Sequence, residues 1–252
     1  MNILSEIQSK TGQLALLIDP EKTKNEKHLS ELIKKAEFAA IDFFFIGGST
    51  VTRKETEAVV SFVKAHSVIP VVLFPGSGNQ LSGHADALLF LNLLSGRNPD
   101  FLIGHHISCA EEVLEMNIEV IPTSYLLIDG GKMTSAAYVS QTTPIPRENN
   151  SISLKTGIAG YLMGQKLTYF DAGSGALYSV PTQLIEELKK KIETPVIVGG
   201  GIRSVEQIEA FKNAGANVIV IGNKIEENID FLLDIEAYQK AHSETINHNK
   251  TV

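Results

Sequence analysis

Three oxygen-bearing side chains stand where short apolar runs end, and each is followed by residues that let the backbone turn sharply. Asp19 closes the run Leu16-Leu-Ile18, and Pro20 after it ends a strand, so the carboxylate is held at the strand's C-terminal end. Such a carboxylate can ligate a hard cation, or it can order the following loop through an Asx-type turn. Ser49 follows Gly47 and Gly48, where the backbone can approach a ligand closely. Its hydroxyl can complete a Mg2+ shell otherwise supplied by a carboxylate and diphosphate oxygens, or Ser49 or Thr50 can cap a helix that begins near Arg53. Asp171 ends a third run shortly before Ser174. It is placed to take a proton from an alcohol, or to order the Gly173-Ser-Gly175 turn by accepting its N–H groups. Tyr169 alternates to the same face as Asp171, so its hydroxyl can reach the same ligand, or the ring can simply pack.

The glycines near these residues point to an anion. The segments Tyr169-Phe-Asp-Ala-Gly-Ser-Gly175, Val198-Gly-Gly-Gly201 and Val220-Ile-Gly-Asn223 each continue an apolar run into a turn. Glycine turns at strand ends leave backbone N–H groups free to face a phosphate. Gly199-Gly-Gly201 and Gly222-Asn223 form a pair on adjacent late strands. Tight turning without a ligand is the bland alternative for each turn taken singly.

The elements that must position these residues follow from the runs themselves. Strands are predicted over Leu14–Ile18, Phe43–Ile46, Val71–Phe74, Ala87–Leu91, Ile118–Ile121, Leu167–Phe170, Val196–Val198 and Val218–Ile221. Helical patterns fall between most of them, over Lys27–Ala39, Lys54–Ala65, Ala110–Met116, Thr182–Lys191 and Val205–Ala214, with Ser108 and Ser204 as N-caps. Alternation of this kind implies parallel strands, and 252 residues fit one closed α/β barrel. The fold expected is therefore a modified (β/α)8 TIM barrel occupying residues 1–240, with a polar, fraying tail over 241–252. One crossover departs from the pattern: Phe74 to Asp86 is short and contains Pro75, Gly76, Gly78 and Gly83, so the third helix is missing or vestigial. Ser124–Asp129 prolongs the fifth apolar run, and the long segment Asp129–Ser151 after it, with Pro144 and Pro146, reads as a lid or a wall of the binding site.

Composition excludes several classes. Cys109 is the only cysteine, so neither an internal disulfide nor a thiolate zinc cluster is available, and its place near a helix start fits small-residue packing. His105 and His106 are adjacent and diverge on a helix, which assigns them to loop or capping roles rather than to one metal. The net charge of -7, with no basic cluster interleaved with aromatics, argues against nucleic acid as a partner. No apolar stretch is long enough to span a membrane, and residues 1–13 lack the apolar core of a secretory signal, so a cytoplasmic protein is expected.

With Ile18-Asp-Pro-Glu-Lys22, Gly47-Gly-Ser49, Tyr169-Phe-Asp-Ala-Gly-Ser-Gly-Ala176, Gly199-Gly-Gly201 and Gly222-Asn223, the chain resembles the geranylgeranylglyceryl phosphate synthase family, which includes bacterial heptaprenylglyceryl phosphate synthases. The resemblance spans nearly the whole barrel, and the family's barrel also lacks its third helix. It implies a Mg2+-dependent prenyltransferase that joins geranylgeranyl diphosphate to the 3-hydroxyl of sn-glycerol 1-phosphate, an ether-lipid precursor step. Heptaprenyl transfer is the alternative chain length. By the same resemblance Asp19 and Ser49 bind the metal, and Tyr169, Phe170, Asp171, Ala172, Gly173, Ser174, Gly175, Gly200, Gly201, Gly222 and Asn223 bind glycerol phosphate. Asp171 and Tyr169 are the catalytic candidates, Asp171 standing where many members carry Glu. A homo-oligomer, dimer or hexamer, with transient contact to a membrane surface, is also implied. Two other classes fit the glycine turns alone: a sugar-phosphate isomerase or aldolase-like barrel, and a non-catalytic phosphate or prenyl-lipid binding protein. No lysine ends a predicted strand, which weighs against Schiff-base chemistry.

Overall fold

Eight parallel strands close on themselves in sequence order: β1 (Gln13–Ile18), β2 (Phe43–Ile46), β3 (Val71–Leu73), β4 (Ala87–Leu93), β5 (Glu119–Leu127), β6 (Leu167–Asp171), β7 (Val196–Gly199) and β8 (Val218–Ile221). This is a computed structural model describing residues 2–23 and 25–249. Closure is made by β1 against β8, with Gln13 opposite Val218 and Leu16 opposite Ile221.

The strands read as unbroken apolar runs because both of their faces are covered. In β2, Phe43 and Phe45 point into the barrel while Phe44 and Ile46 join the outer core beneath the helices, and all four are buried. The helices are α1 (Ile3–Ser9), α2 (Glu26–Phe38), α3 (Arg53–His66), α4 (His105–Glu115), α5 (Ser135–Ser140), α6 (Asn150–Leu162), α7 (Thr182–Lys189), α8 (Val205–Asn213), α9 (Asn223–Glu227) and α10 (Phe231–Asn249). Ser204 caps α8 by accepting from the N–H of Gln207, as the sequence indicates. None of the described helices is long and apolar enough to cross a membrane.

Several expectations need correcting. Neither Ser49 nor Thr50 caps α3; Thr52 does, in a reciprocal capping box with Glu55. Ser108 is not an N-cap, because a π-helical turn over Asp100–Gly104 runs directly into α4 and puts Ser108 inside the helix, its hydroxyl donating to the carbonyl of His105. His105 and His106 are accordingly helical residues of the first turn of α4 rather than loop residues. The fifth strand is a single element of nine residues. The long segment after it holds α5 and is pinned back on the barrel by a parallel bridge between Ile128 and Ile145. The crossover helix α6 contains Gly157 and Gly160, which permit close packing: a β-carbon on Gly160 would collide with the Ser124 hydroxyl. As expected, no helix lies between β3 and β4. The backbone of the tail expected to fray is helical as far as Asn249, and residues 250–252 lie outside the described residues.

The bottom of the barrel is sealed by α1. Ile3 and Ile7 are fully buried among barrel-interior side chains such as Phe43 and Ile121. The carboxylate of Glu119 accepts from the N–H groups of Ile3 (2.5 Å) and Leu4 (3.0 Å), placing negative charge at the helix's positive end. Asn217 Nδ2 and Gln13 Nε2 both donate to the Ile7 carbonyl at the other end. Ile7→Ala should therefore cost about 2–5 kcal/mol in chemical denaturation. A loss below about 1 kcal/mol would mean that the seal adds little stability.

Candidate active site

All of the strand ends singled out in the sequence open onto one cavity at the C-terminal rim. Asp19, Ser49, Tyr169, Asp171, Gly200 and Asn223 are among its lining residues, as are Ser174, Gly175, Gly201 and Gly222. Phe170, Ala172 and Gly173 do not line it. Phe170 and Ala172 turn their side chains into the outer core, and Gly173 lies against the Thr134 side chain.

At the metal candidates, Asp19 orders the loop that follows it. Its Oδ1 accepts from the N–H of Glu21 (3.1 Å), an Asx-type turn, and the same oxygen lies 2.8 Å from where a β-carbon on Gly48 would stand. The carboxylate thus rests against the Gly47-Gly48-Ser49 turn, and only a glycine at position 48 leaves it room. Burial pushes the Asp19 carboxyl above its usual range, opposed by the Glu21 N–H and by Lys22, whose ammonium is 3.7 Å away. The described residues contain no cluster of three or more His, Cys, Asp or Glu side chains able to hold a metal. What the chain offers a cation here is a carboxylate and a neighbouring hydroxyl, both hard oxygens. That set fits Mg2+ if a ligand's phosphate oxygens supply most of the shell.

Asp171 is buried, and each of its carboxylate oxygens accepts one hydrogen bond. Its Oδ1 accepts from the N–H of Gly173 (2.7 Å), and its Oδ2 accepts from the hydroxyl of Tyr125 (2.6 Å). Burial pushes its carboxyl up, while the two hydrogen bonds pull it down. Tyr125 was not identifiable from the sequence, where it sits inside an apolar run. The strand register places it opposite Tyr169, with Leu127 opposite Asp171. The phenols of Tyr125 and Tyr169 are pushed far up by burial and by the Asp171 charge, so both remain protonated. Phe74 completes an aromatic floor, stacked on Tyr169 at 5.2 Å and edge-on to Tyr125 at 5.6 Å.

The glycine turns present unpaired donors. Among the described residues, the N–H groups of Ser174, Gly200, Gly201, Gly222 and Asn223 have no protein acceptor. The β6 and β8 turns are tied together by Asn223, whose Oδ1 accepts from Gly175 N (2.7 Å) and Ser174 Oγ (2.9 Å). Gly200 and Gly201 have φ of 82° and 70°, the left-handed region that favours glycine.

From this polar rim the cavity continues into an apolar channel. Leu89 and Leu91 on the inner face of β4 line it, and so do Leu88 and Phe90 on the outer face of the same strand. Both faces are reached because no helix covers β4 on its β3 side. Cys109 lines this channel, and burial pushes its thiol up, which agrees with packing rather than reactivity. His106 lines it as well, edge-on to Phe90 at 4.4 Å, and burial pushes its imidazole down toward the neutral form. Ala136 and Val139 of α5 form part of the opposite wall, so the inserted segment serves as a wall.

Residues 7–241 match the model of the PcrB family. A protein of Chitinophaga pinensis named geranylgeranylglyceryl phosphate synthase is 43% identical over 221 residues, covering 88% of this chain and 87% of its own. A Pyrococcus furiosus protein of the same name is 41% identical over 212 residues, covering 84% and 83%. The crystal structure of (S)-3-O-geranylgeranylglyceryl phosphate synthase from Thermoplasma acidophilum in complex with substrate sn-glycerol-1-phosphate superposes with a TM-score of 0.86 at 32% identity, covering 94% of this chain and 96% of that one.

The geometry at Gly200 makes a direct prediction. A β-carbon there would meet the Gly173 nitrogen at 2.5 Å and Asp171 Oδ1 at 2.8 Å. Gly200→Ala should destabilise the protein by about 1–3 kcal/mol and disrupt the turn. Thermal melting with and without added inorganic phosphate is the check. A variant that melts like the wild type and is stabilised equally by phosphate would contradict it.

Proposed function

Because the chain belongs to the PcrB family, we propose that it is a prenyltransferase that joins the 3-hydroxyl of sn-glycerol 1-phosphate to the allylic carbon of geranylgeranyl diphosphate. The observation that carries this reading is the continuity of one cavity from a rim of unpaired backbone N–H groups into an apolar channel along both faces of β4. A phosphate fits the first part and an isoprenoid chain the second.

In the reaction, the glycerol oxygen forms a C–O bond to the allylic carbon while the bond from that carbon to the diphosphate oxygen breaks. Mg2+ held by Asp19 and Ser49 would neutralise the departing diphosphate. The Ser174, Gly200, Gly201, Gly222 and Asn223 N–H groups hold the phosphate of the acceptor and so fix where its hydroxyl lies. Asp171 takes the proton of that hydroxyl; each carboxylate oxygen has a second lone pair, so it can do so while keeping Gly173 and Tyr125 bound. The aromatic floor of Phe74, Tyr125 and Tyr169 lines this part of the cavity and keeps water away from the developing allylic cation.

The test is product formation from the two substrates with Mg2+ or with EDTA, followed by thin-layer chromatography, with prenyl diphosphates of several lengths to set chain preference. A Mg2+-dependent prenylglyceryl phosphate is expected, and absence of product with every length would overturn the reading. Asp19→Ala should lower turnover by about 100-fold or more while leaving the melting temperature near that of the wild type. Unchanged Mg2+-dependent turnover in that variant would remove Asp19 from the metal site.

The pH profile gives a signed prediction for Asp171. As a base it must be ionised, so activity falls as pH drops through its raised pKa. The Tyr125 hydroxyl favours the carboxylate, and removing it in Tyr125→Phe raises that pKa further. The acid limb of kcat should therefore move to higher pH in the variant. A limb that stays in place would show that Asp171 is not the group titrating there.

A further inference from the structure

We propose that Lys132 and Arg203 form a two-cation clamp over the β6 turn that holds the phosphoryl group of the acceptor, an inference that rests on the acceptor site assigned above. The loop between β5 and α5 is strapped across that turn. The Gly130 carbonyl accepts from the N–H groups of Leu177 (2.8 Å) and Tyr178 (3.1 Å), and Thr134 covers Gly173. Between these two fixed points the strap carries Lys132. Its Nζ lies 2.8 Å from where a β-carbon on Gly175 would stand and is the nearest atom to that position. From the other side, the loop after β7 brings Arg203, whose NH2 group donates to the Ala176 carbonyl (3.0 Å) and whose backbone N–H donates to Gln207 Oε1 (2.7 Å). Two positive charges thus converge on consecutive residues of one turn.

The electrostatics give them a purpose. The remaining cations at this end of the cavity are engaged elsewhere: Lys22 with Glu226 (2.7 Å) and Asp19 (3.7 Å), and Lys224 over the ring of Phe231 (5.7 Å). Among the described residues, Lys132 and Arg203 have no carboxylate partner. Backbone N–H groups orient a phosphate but bring no net charge, and Asp19 and Glu226 repel it. The clamp supplies the missing opposite charge. Arg203 has only one of its guanidinium nitrogens committed, leaving donors for a planar two-point contact, while Lys132 acts as a point charge on a flexible stem.

The test is titration calorimetry of the full chain with sn-glycerol 1-phosphate and, separately, with inorganic phosphate, at low and high salt, together with steady-state kinetics. Lys132→Ala should weaken both ligands by about 5–10-fold and flatten the salt dependence, while Lys132→Arg should stay within about twofold of the wild type. Combining Lys132→Ala with the fold-preserving Arg203→Lys should weaken binding further. In kinetics the loss should appear in KM for the acceptor, with kcat and KM for the prenyl diphosphate unchanged. Wild-type affinity of Lys132→Ala for both phosphates at low salt would overturn the clamp, as would a change confined to KM for the prenyl diphosphate. If the wild type binds inorganic phosphate through Lys132 but does not bind sn-glycerol 1-phosphate, the clamp stands and the proposed acceptor falls.

Discussion

Closure of a parallel sheet is the constraint on which the other features depend. With every strand running the same way, all eight C-terminal ends emerge on one rim, and the ladder of backbone hydrogen bonds stops there. The turns that follow β6, β7 and β8 therefore carry donors, on Ser174, Gly200, Gly201, Gly222 and Asn223, that no neighbouring strand uses. Closure also fixes which side chains face inward. Once Tyr169 points into the barrel, Asp171 must as well, and the register with β5 sets Tyr125 beside them. The buried carboxylate, its two hydrogen bonds and the aromatic floor are thus consequences of strand alternation and register rather than separate features.

The desolvated Asp171 and the apolar channel place opposite demands on the same space. A charged group in such surroundings is costly unless it is paired, and here the pairing comes from one phenol and one backbone N–H. The channel beside it exists because the third crossover helix is absent. In an ordinary barrel the outer face of β4 would be sealed by that helix; here Leu88 and Phe90 meet the cavity instead. One omitted element converts core surface into cavity wall without any change to the barrel itself.

Much of this was legible in the residues. β2 and β8 fall where the apolar runs put them, and Asp19, Asp171 and the glycine turns could be placed because each ends a run. The short Phe74 to Asp86 connection was legible for a negative reason, having too few residues for a crossover. The parts that were not legible depend on long-range geometry. Tyr125 looks like one more apolar strand residue until the β5 to β6 register gives it a partner. Helix α6 was hidden by Gly157 and Gly160, whose purpose is the close approach of the helix to neighbouring elements, visible only from the strand and helix opposite. The cap of α3 was misplaced because the turn carries three hydroxyl residues, Ser49, Thr50 and Thr52, and only the reciprocal bond with Glu55 distinguishes Thr52. Lys132 gave no signal at all, since nothing local to it marks the turn it reaches.

The seal made by α1 links the two ends of the barrel's chain path. The Ile7 carbonyl is held by Asn217, 210 residues away, and β1 finds its second partner only in β8. Both contacts need residues from the far end of the chain, so one edge of β1 has no partner until β8 has been made. The barrel's high contact order makes closure a late and cooperative event. The glycine turns after β6, β7 and β8 thus belong to the same closed ladder that α1 seals at its far end.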